Sequence, residues 1–291
     1  MPYSGITKKG GRLTLTLFLL SPTFLFGQYA GSEACKACHA AQWESQAKSG
    51  HAKALSRSSG IWNFGAGVQA ITPVSKLDDQ FYLEHGQSDF KGVKAKTPGH
   101  VNTNGVKYRI TDPGSQIMKC FQCHSTGPLK LTADFAIEPT ELGVRCESCH
   151  GPGAGHIERG GAKTAIFNPG QLNGTAMNDY CGNCHRKPGE DTDWREAWNV
   201  RHQPIYLNQS KCFQKSEGAM TCISCHKPHE SLARSGYDAA CAGCHAKPAH
   251  KSVAIAGKTC VGCHMPIVKP QPNLGFTNHW IGIYRKGPLR P

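Results

Sequence analysis

The sequence predicts a mainly α-helical chain with extensive loops and a small β excursion near residues 61–111, organised around something other than an apolar core. Three observations lead there. Of the 291 residues only 38% are hydrophobic and 8% aromatic, while glycine (33) and proline (18) are abundant; such a composition supplies loops more readily than a packed interior. Fifteen cysteines are present, and fourteen of them fall in seven copies of Cys-x-x-Cys-His. The stretch between the first two copies mixes β-branched and aromatic residues with turn signals.

The seven copies are Cys35/Cys38/His39, Cys120/Cys123/His124, Cys146/Cys149/His150, Cys181/Cys184/His185, Cys222/Cys225/His226, Cys241/Cys244/His245 and Cys260/Cys263/His264. A zinc site would need four ligands from paired clusters. A redox dithiol needs one motif and leaves the histidine incidental. A disulfide framework gives no reason for a histidine after every second cysteine. Covalent haem c needs two thiols for its thioethers and the adjacent imidazole for its iron. Seven repetitions select haem c, with seven covalent haems, and the fold class becomes a mainly α chain built around a covalent haem array. About 38 residues per haem leaves the porphyrins to replace much of the core, so the apoprotein is expected not to fold.

The N-terminus carries Lys8, Lys9 and Arg12 ahead of the apolar run LTLTLFLLSPTFLF. This reads as a signal peptide over residues 1–27, leaving a haem domain over 28–291 in the periplasm or outside the cell. The run is short for a bilayer span and contains Pro22. The formal net charge of +13 does not point to nucleic acid. Without residues 1–27, and with propionates and ferric centres added, it falls to about +3. Many lysines and arginines then read as propionate partners.

Along the chain, residues 61–118 form the β-containing insertion, with IWNF, FYLEH and GVKYRIT as strand signals. Successive first cysteines lie 85, 26, 35, 41, 19 and 19 residues apart, so residues 222–266 are a tandem repeat of period 19. Short helices joined by Gly/Pro loops are expected after the motifs.

Eight histidines lie outside the motifs: His51, His85, His100, His156, His202, His229, His250 and His279. Taken singly, each would read as an ordinary surface or core imidazole; beside seven haems they read as second axial ligands. On a helix His39 and His51 would lie about 18 Å apart, and the link from His226 to His229 spans at most about 10 Å. Neither pair can clasp one iron, so such histidines serve a haem other than the neighbouring one. The expected distal set is His51, His100, His156, His202, His229, His250 and His279, with His85 the spare. Cys212 reads as a shielded thiol, with an intermolecular disulfide or an iron ligand as the functional alternatives. Met265 reads as packing.

The stretches GSEACKACH with SGHAKA, KCFQCHSTG, VRCESCHGPGAGH, MTCISCHKPH and CVGCHMP with NHW resemble the multihaem c-type cytochrome superfamily. It includes the tetrahaem cytochrome of ammonia oxidisers, pentahaem nitrite reductase and octahaem hydroxylamine oxidoreductase. The resemblance spans about residues 30–281 and implies a mostly helical fold, with His51, His156, His202, His229, His250 and His279 at distal positions. No Cys-x-x-Cys-Lys occurs, unlike the nitrite reductases, and seven motifs do not fit the octahaem plan. The resemblance therefore implies an electron carrier. Its partners would be redox proteins, such as a membrane quinol oxidase or outer-membrane cytochromes, and a filament of docked copies would be a form of the same reading. The alternative is an oxidoreductase with one five-coordinate haem acting on a nitrogen or sulfur oxyanion, near Glu84 and His85.

Overall fold

The computed structural model describes residues 27–78, 80–98, 104–189, 192–230, 234–246, 250 and 259–291. The signal-peptide run and His100 lie outside the described residues. The mainly α expectation is corrected: the structure is 34% helical and 22% strand, with ten helices and several antiparallel sheets among the described residues. The helices are short, and strands occur well beyond the insertion.

The chain opens with α1 (Ser32–Lys36) and α2 (Ala40–Ala47), then enters the largest sheet. Its members are β1 (Leu55–Ser58), β2 (Ile61–Phe64), β3 (Thr72–Lys76) and β4 (Phe81–His85), followed by the hairpin β5 (Gln87–Phe90) and β6 (Val93–Lys96), then β7 (Gly105–Arg109). The order β1-β2-β3-β4-β7 is antiparallel throughout. Alternation in IWNF points Trp62 and Phe64 to one side, as a period of two requires.

That side receives α3 (Gln116–His124), whose Ile117 and Phe121 are fully buried. Leu55, Trp62, Phe64, Val74, Tyr82, Ile110 and Ile137 complete the cluster. Phe121 stands edge-on to Trp62 and Phe64, each at 5.0 Å. Burying such a ring contributes roughly 1.5–3 kcal/mol.

Two hairpins lie where short helices were expected. β8 (Ser125–Leu131) and β9 (Ile137–Leu142) follow α3, and β10 (Ile267–Gln271) pairs with β11 (Leu274–Thr277) near the C-terminus. Pro128, Pro139 and Pro270 disqualify these segments as helix interiors and suit them to small edge hairpins. At Gly127 the β8–β9 register shifts, with φ 76° and a β-carbon's position only 2.8 Å from Thr140 Cβ.

The remaining helices are α4 (Cys146–His150), α5 (Ala154–Glu158), α6 (Gly174–His185), α7 (Gln203–Leu207), α8 (Lys211–Lys215), α9 (Asp238–Cys244) and α10 (Cys260–His264). α7 contributes Ile205 and Tyr206 to a smaller cluster with Val200 and Val268, flanked by Trp194, Phe276 and Trp280. The first cluster is a conventional core; the second is thin for the length of chain around it.

Candidate functional site

Each motif sits on a helix, a helix end or a 3-10 turn, because residues i, i+3 and i+4 share one helical face. The backbone closes the turn directly: the amides of His39, His226 and His245 each donate 2.9 Å bonds to the carbonyl of their motif's first cysteine. Both sulfurs and the imidazole are thereby presented side by side.

Cysteines from different motifs meet. Cys35 and Cys146 share a hydrogen bond that pushes the first thiol up and the second down to about 6. Cys123 is lowered to about 7 by its bond with Cys184, whose thiol is raised in turn. Cys181 is lowered and Cys222 raised by the same kind of pairing. Burial, with Cys260 alongside, pushes Cys241 to about 11.

Among the expected thioether positions Cys38, Cys184, Cys244, Cys260 and Cys263 are exposed, and the other nine are partly buried. Cys38 lies just past the end of α1, where its amide donates to the Cys35 carbonyl at 3.3 Å, and Cys263 lies in the last turn of α10.

Five histidine pairs follow one rule. His39 faces His156 at 6.4 Å between ring centroids, His185 faces His51 at 6.2 Å, and His150 faces His229 at 6.2 Å. His226 faces His279 at 6.1 Å, and His264 faces His250 at 6.2 Å. Every pair joins a motif imidazole to one from outside the motifs, and never to the one that follows its own motif. The spacing stays constant while the interplanar angle runs from 20° to 71°. The chain's other aromatic pairs scatter from 4.8 to 6.3 Å. Ordinary ring packing varies its distance with its angle; a common spacer does not.

The rings are also held in register. The Nδ1 atoms of His124, His150, His156, His264 and His279 lie 2.9–3.0 Å from the carbonyl oxygens of Ala54, Phe167, Ala162, Gly282 and Thr277. A proton donated there leaves the Nε2 lone pair available, as at histidines that bind metals. Burial lowers the affinity of His51, His124, His185, His226 and His229 for a proton, which favours the neutral, ligating form.

The other candidate residues divide. His85 lies on β4, with its Nε2 2.8 Å from Ser75 Oγ, and Glu84 accepts a 2.7 Å bond from the Tyr108 hydroxyl. His124 packs its ring against Phe64 at 5.3 Å. His202 caps the start of α7, and His245 caps the end of α9. Cys212 is half-buried in α8, close enough to Cys225 and Cys244 to raise the Cys225 thiol further. Met265 caps the end of α10.

Sequence reading missed Glu147, which occupies the first variable position of its motif. It is buried and accepts bonds from the amides of Ala30, Gly31 and Gly153 at 2.8, 2.8 and 2.6 Å. These bonds tie the Cys35 motif to α4 and shape the turn that carries His156. A charged residue inside a Cys-x-x-Cys pair beside a Gly/Pro loop was the available signal. The anchoring carbonyls belong to unremarkable residues and left none.

These residues fit covalent haem c. Paired sulfurs and a facing imidazole couple stand open at each of five positions, and Ile157, Phe167, Ile223 and Ile267, all beside motifs or their partner histidines, are exposed.

The motifs, the facing imidazoles and the exposed apolar residues beside them are features that the chain shares with multihaem c-type cytochromes. The family described as cytochrome c554 and c-prime matches residues 79–151. The multiheme cytochrome MtrA of Shewanella baltica (strain OS185) is 26% identical over 166 residues, half of this chain and 45% of that protein. The chain thus spans less than half the length of this curated relative. In fold it is similar to the outer cell wall cytochrome OcwA, with a TM-score of 0.54 at 17% identity, over 87% of this chain and 79% of that one. An undecaheme cytochrome from the S-layer of Carboxydothermus ferrireducens gives 0.53 at 16% identity, over 89% and 52%.

Proposed function

We propose that the chain is an exported heptahaem c-type cytochrome that passes electrons between redox proteins through mostly bis-histidine haems. The carrying observation is the set of five imidazole pairs. An iron about 2 Å from each Nε2 sets the ring centroids about 6.3 Å apart whatever the ring angle, and the five separations run from 6.1 to 6.4 Å. The seven cysteine pairs would hold the haems, and the motif histidines together with His156, His51, His229, His279 and His250 would supply the imidazoles for their irons. His100 and His202 are the ligands left for the motifs of His124 and His245. Haem supplies reversible one-electron chemistry; the chain fixes each imidazole, excludes water and sets the spacing. With both axial positions filled no substrate reaches the iron. The relatives' descriptions as cell-wall and S-layer cytochromes support a site outside the cytoplasm.

A second reading, one five-coordinate haem that acts on a nitrogen or sulfur oxyanion, draws on one observation. Among the described residues no imidazole pairs with His124 or His245 as in the other five. Mass spectrometry and low-temperature EPR of the purified protein decide the matter. Seven haems with low-spin ferric signals only are expected. A high-spin signal from one haem in seven would turn the assignment to the enzyme, and a colourless protein would end both readings.

A further inference from the structure

The contacts between motifs do more than bring haem sites together; they order them. Glu147 and the Cys35–Cys146 pair join the first and third motifs, and the Cys146 amide donates to Ser32 Oγ at 3.3 Å. The Tyr180 hydroxyl donates to the Cys149 carbonyl at 2.9 Å, joining the third motif to α6 and the fourth. Cys181 meets Cys222, and α6 packs on the turn Cys222–Ser224 that opens the fifth. Tyr237, which caps the helix of the sixth motif, lies with its ring 5.2 Å from His226 of the fifth. Asp238 on that helix accepts a 3.2 Å bond from the Val261 amide of the seventh.

The second motif stands apart from this series. Its cysteines meet only one other motif in the same way: Cys123 pairs with Cys184 and lies 4.0 Å from the Asn183 carbonyl oxygen. Its contact with the third motif runs through the Thr126 and Ser148 hydroxyls, at 2.6 Å, rather than through cysteine. Its other side is closed by the five-stranded sheet, with Phe64 against His124.

We propose that the chain lays out a branched relay: the motifs beginning at Cys35, Cys146, Cys181, Cys222, Cys241 and Cys260 form one line in that order, and the Cys120 motif hangs from it as a side branch at Cys184. The inference rests on the haem reading above. Each transfer oxidises one ferrous centre and reduces one ferric centre, with no bond made or broken. Electrons on the branch enter or leave the line at the Cys181/Cys184 motif, so the line conducts without it.

The test uses holoprotein with anchoring thiols at the two ends, Glu33→Cys and Lys286→Cys, in a Cys212→Ser background, held in a single-molecule junction. Cys120→Ala with Cys123→Ala, confirmed by mass to carry six haems, is expected to keep end-to-end conductance within about twofold, whereas Cys222→Ala with Cys225→Ala lowers it at least about tenfold. A tenfold fall on deleting the branch, or none on deleting the fifth motif, overturns the proposal. Iron positions from anomalous diffraction of the unaltered holoprotein give a readout independent of variant folding. The iron of the Cys120 motif should have that of the Cys181 motif as its nearest neighbour, and any other nearest neighbour overturns the branch. A mass short of seven haems in the parent protein would sink the haem reading instead.

Discussion

The region from β1 to β9 and the region from α4 to the C-terminus are built on different principles. In the first, a sheet and a helix bury Trp62, Phe64, Tyr82, Ile117 and Phe121 against one another, an ordinary solution for a chain of that size. In the second, a longer stretch of chain wraps a cluster of four buried residues, and ten of the fourteen motif cysteines lie on it. One region carries its own core; the other is designed to receive one. On the proposed function, haem attachment would be structural in the second region and an addition to an existing fold in the first.

Preventing haem attachment should show the difference most strongly. Limited proteolysis of such a chain is expected to cut throughout residues 143–291 while the strands between 55 and 142 persist; uniform digestion of both would erase the distinction. Phe121→Ala, by contrast, should destabilise the sheet region by about 3–5 kcal/mol, because the ring meets Trp62, Phe64 and Tyr82. Denaturant titration followed by tryptophan fluorescence reads this effect, and a loss below about 1 kcal/mol would mean that haem, not apolar packing, holds this half as well.

Glu147→Gln sharpens the comparison at the seam between the first and third motifs. Three backbone amides lose a charged acceptor, which should cost about 1–3 kcal/mol and broaden the spectrum of the haem whose ligand is His156. An unchanged midpoint would remove Glu147 as the tie between the motifs. The smallest effect belongs to His85→Gln, which keeps a polar partner for Ser75 and should change stability by less than about 1 kcal/mol with no change in the haem spectrum. A new high-spin signal there would make His85 a ligand.

What could be read in advance follows from sequence distance. Cys-x-x-Cys-His is local, so the seven motifs were plain from spacing alone. Which sulfur of a motif meets its neighbour is not local, and it could not be read from the motif. The sheet strands around Trp62 and Tyr82 were also visible, because their alternation is local. The hairpins β8–β9 and β10–β11 were not: their prolines and charged residues read as loop, and only pairing with the opposite strand makes them extended. The imidazole couples are the least local feature. His51 and His185 stand 134 residues apart, and nothing in either neighbourhood names the other. Sequence supplies the inventory of rings, and the folded chain supplies the matches.

That matching has a consequence for how the molecule is made. His39 is paired with a residue that follows the third motif, His150 with one that follows the fifth, and His226 with one that follows the seventh. A polypeptide delivered from its N-terminus thus presents its earliest motif imidazoles without their partners, and each waits for a later segment to arrive. Assembly is then a run of deferred closures, so a ribosome that stops short of His279 would leave a defect at His226, far upstream of the cut.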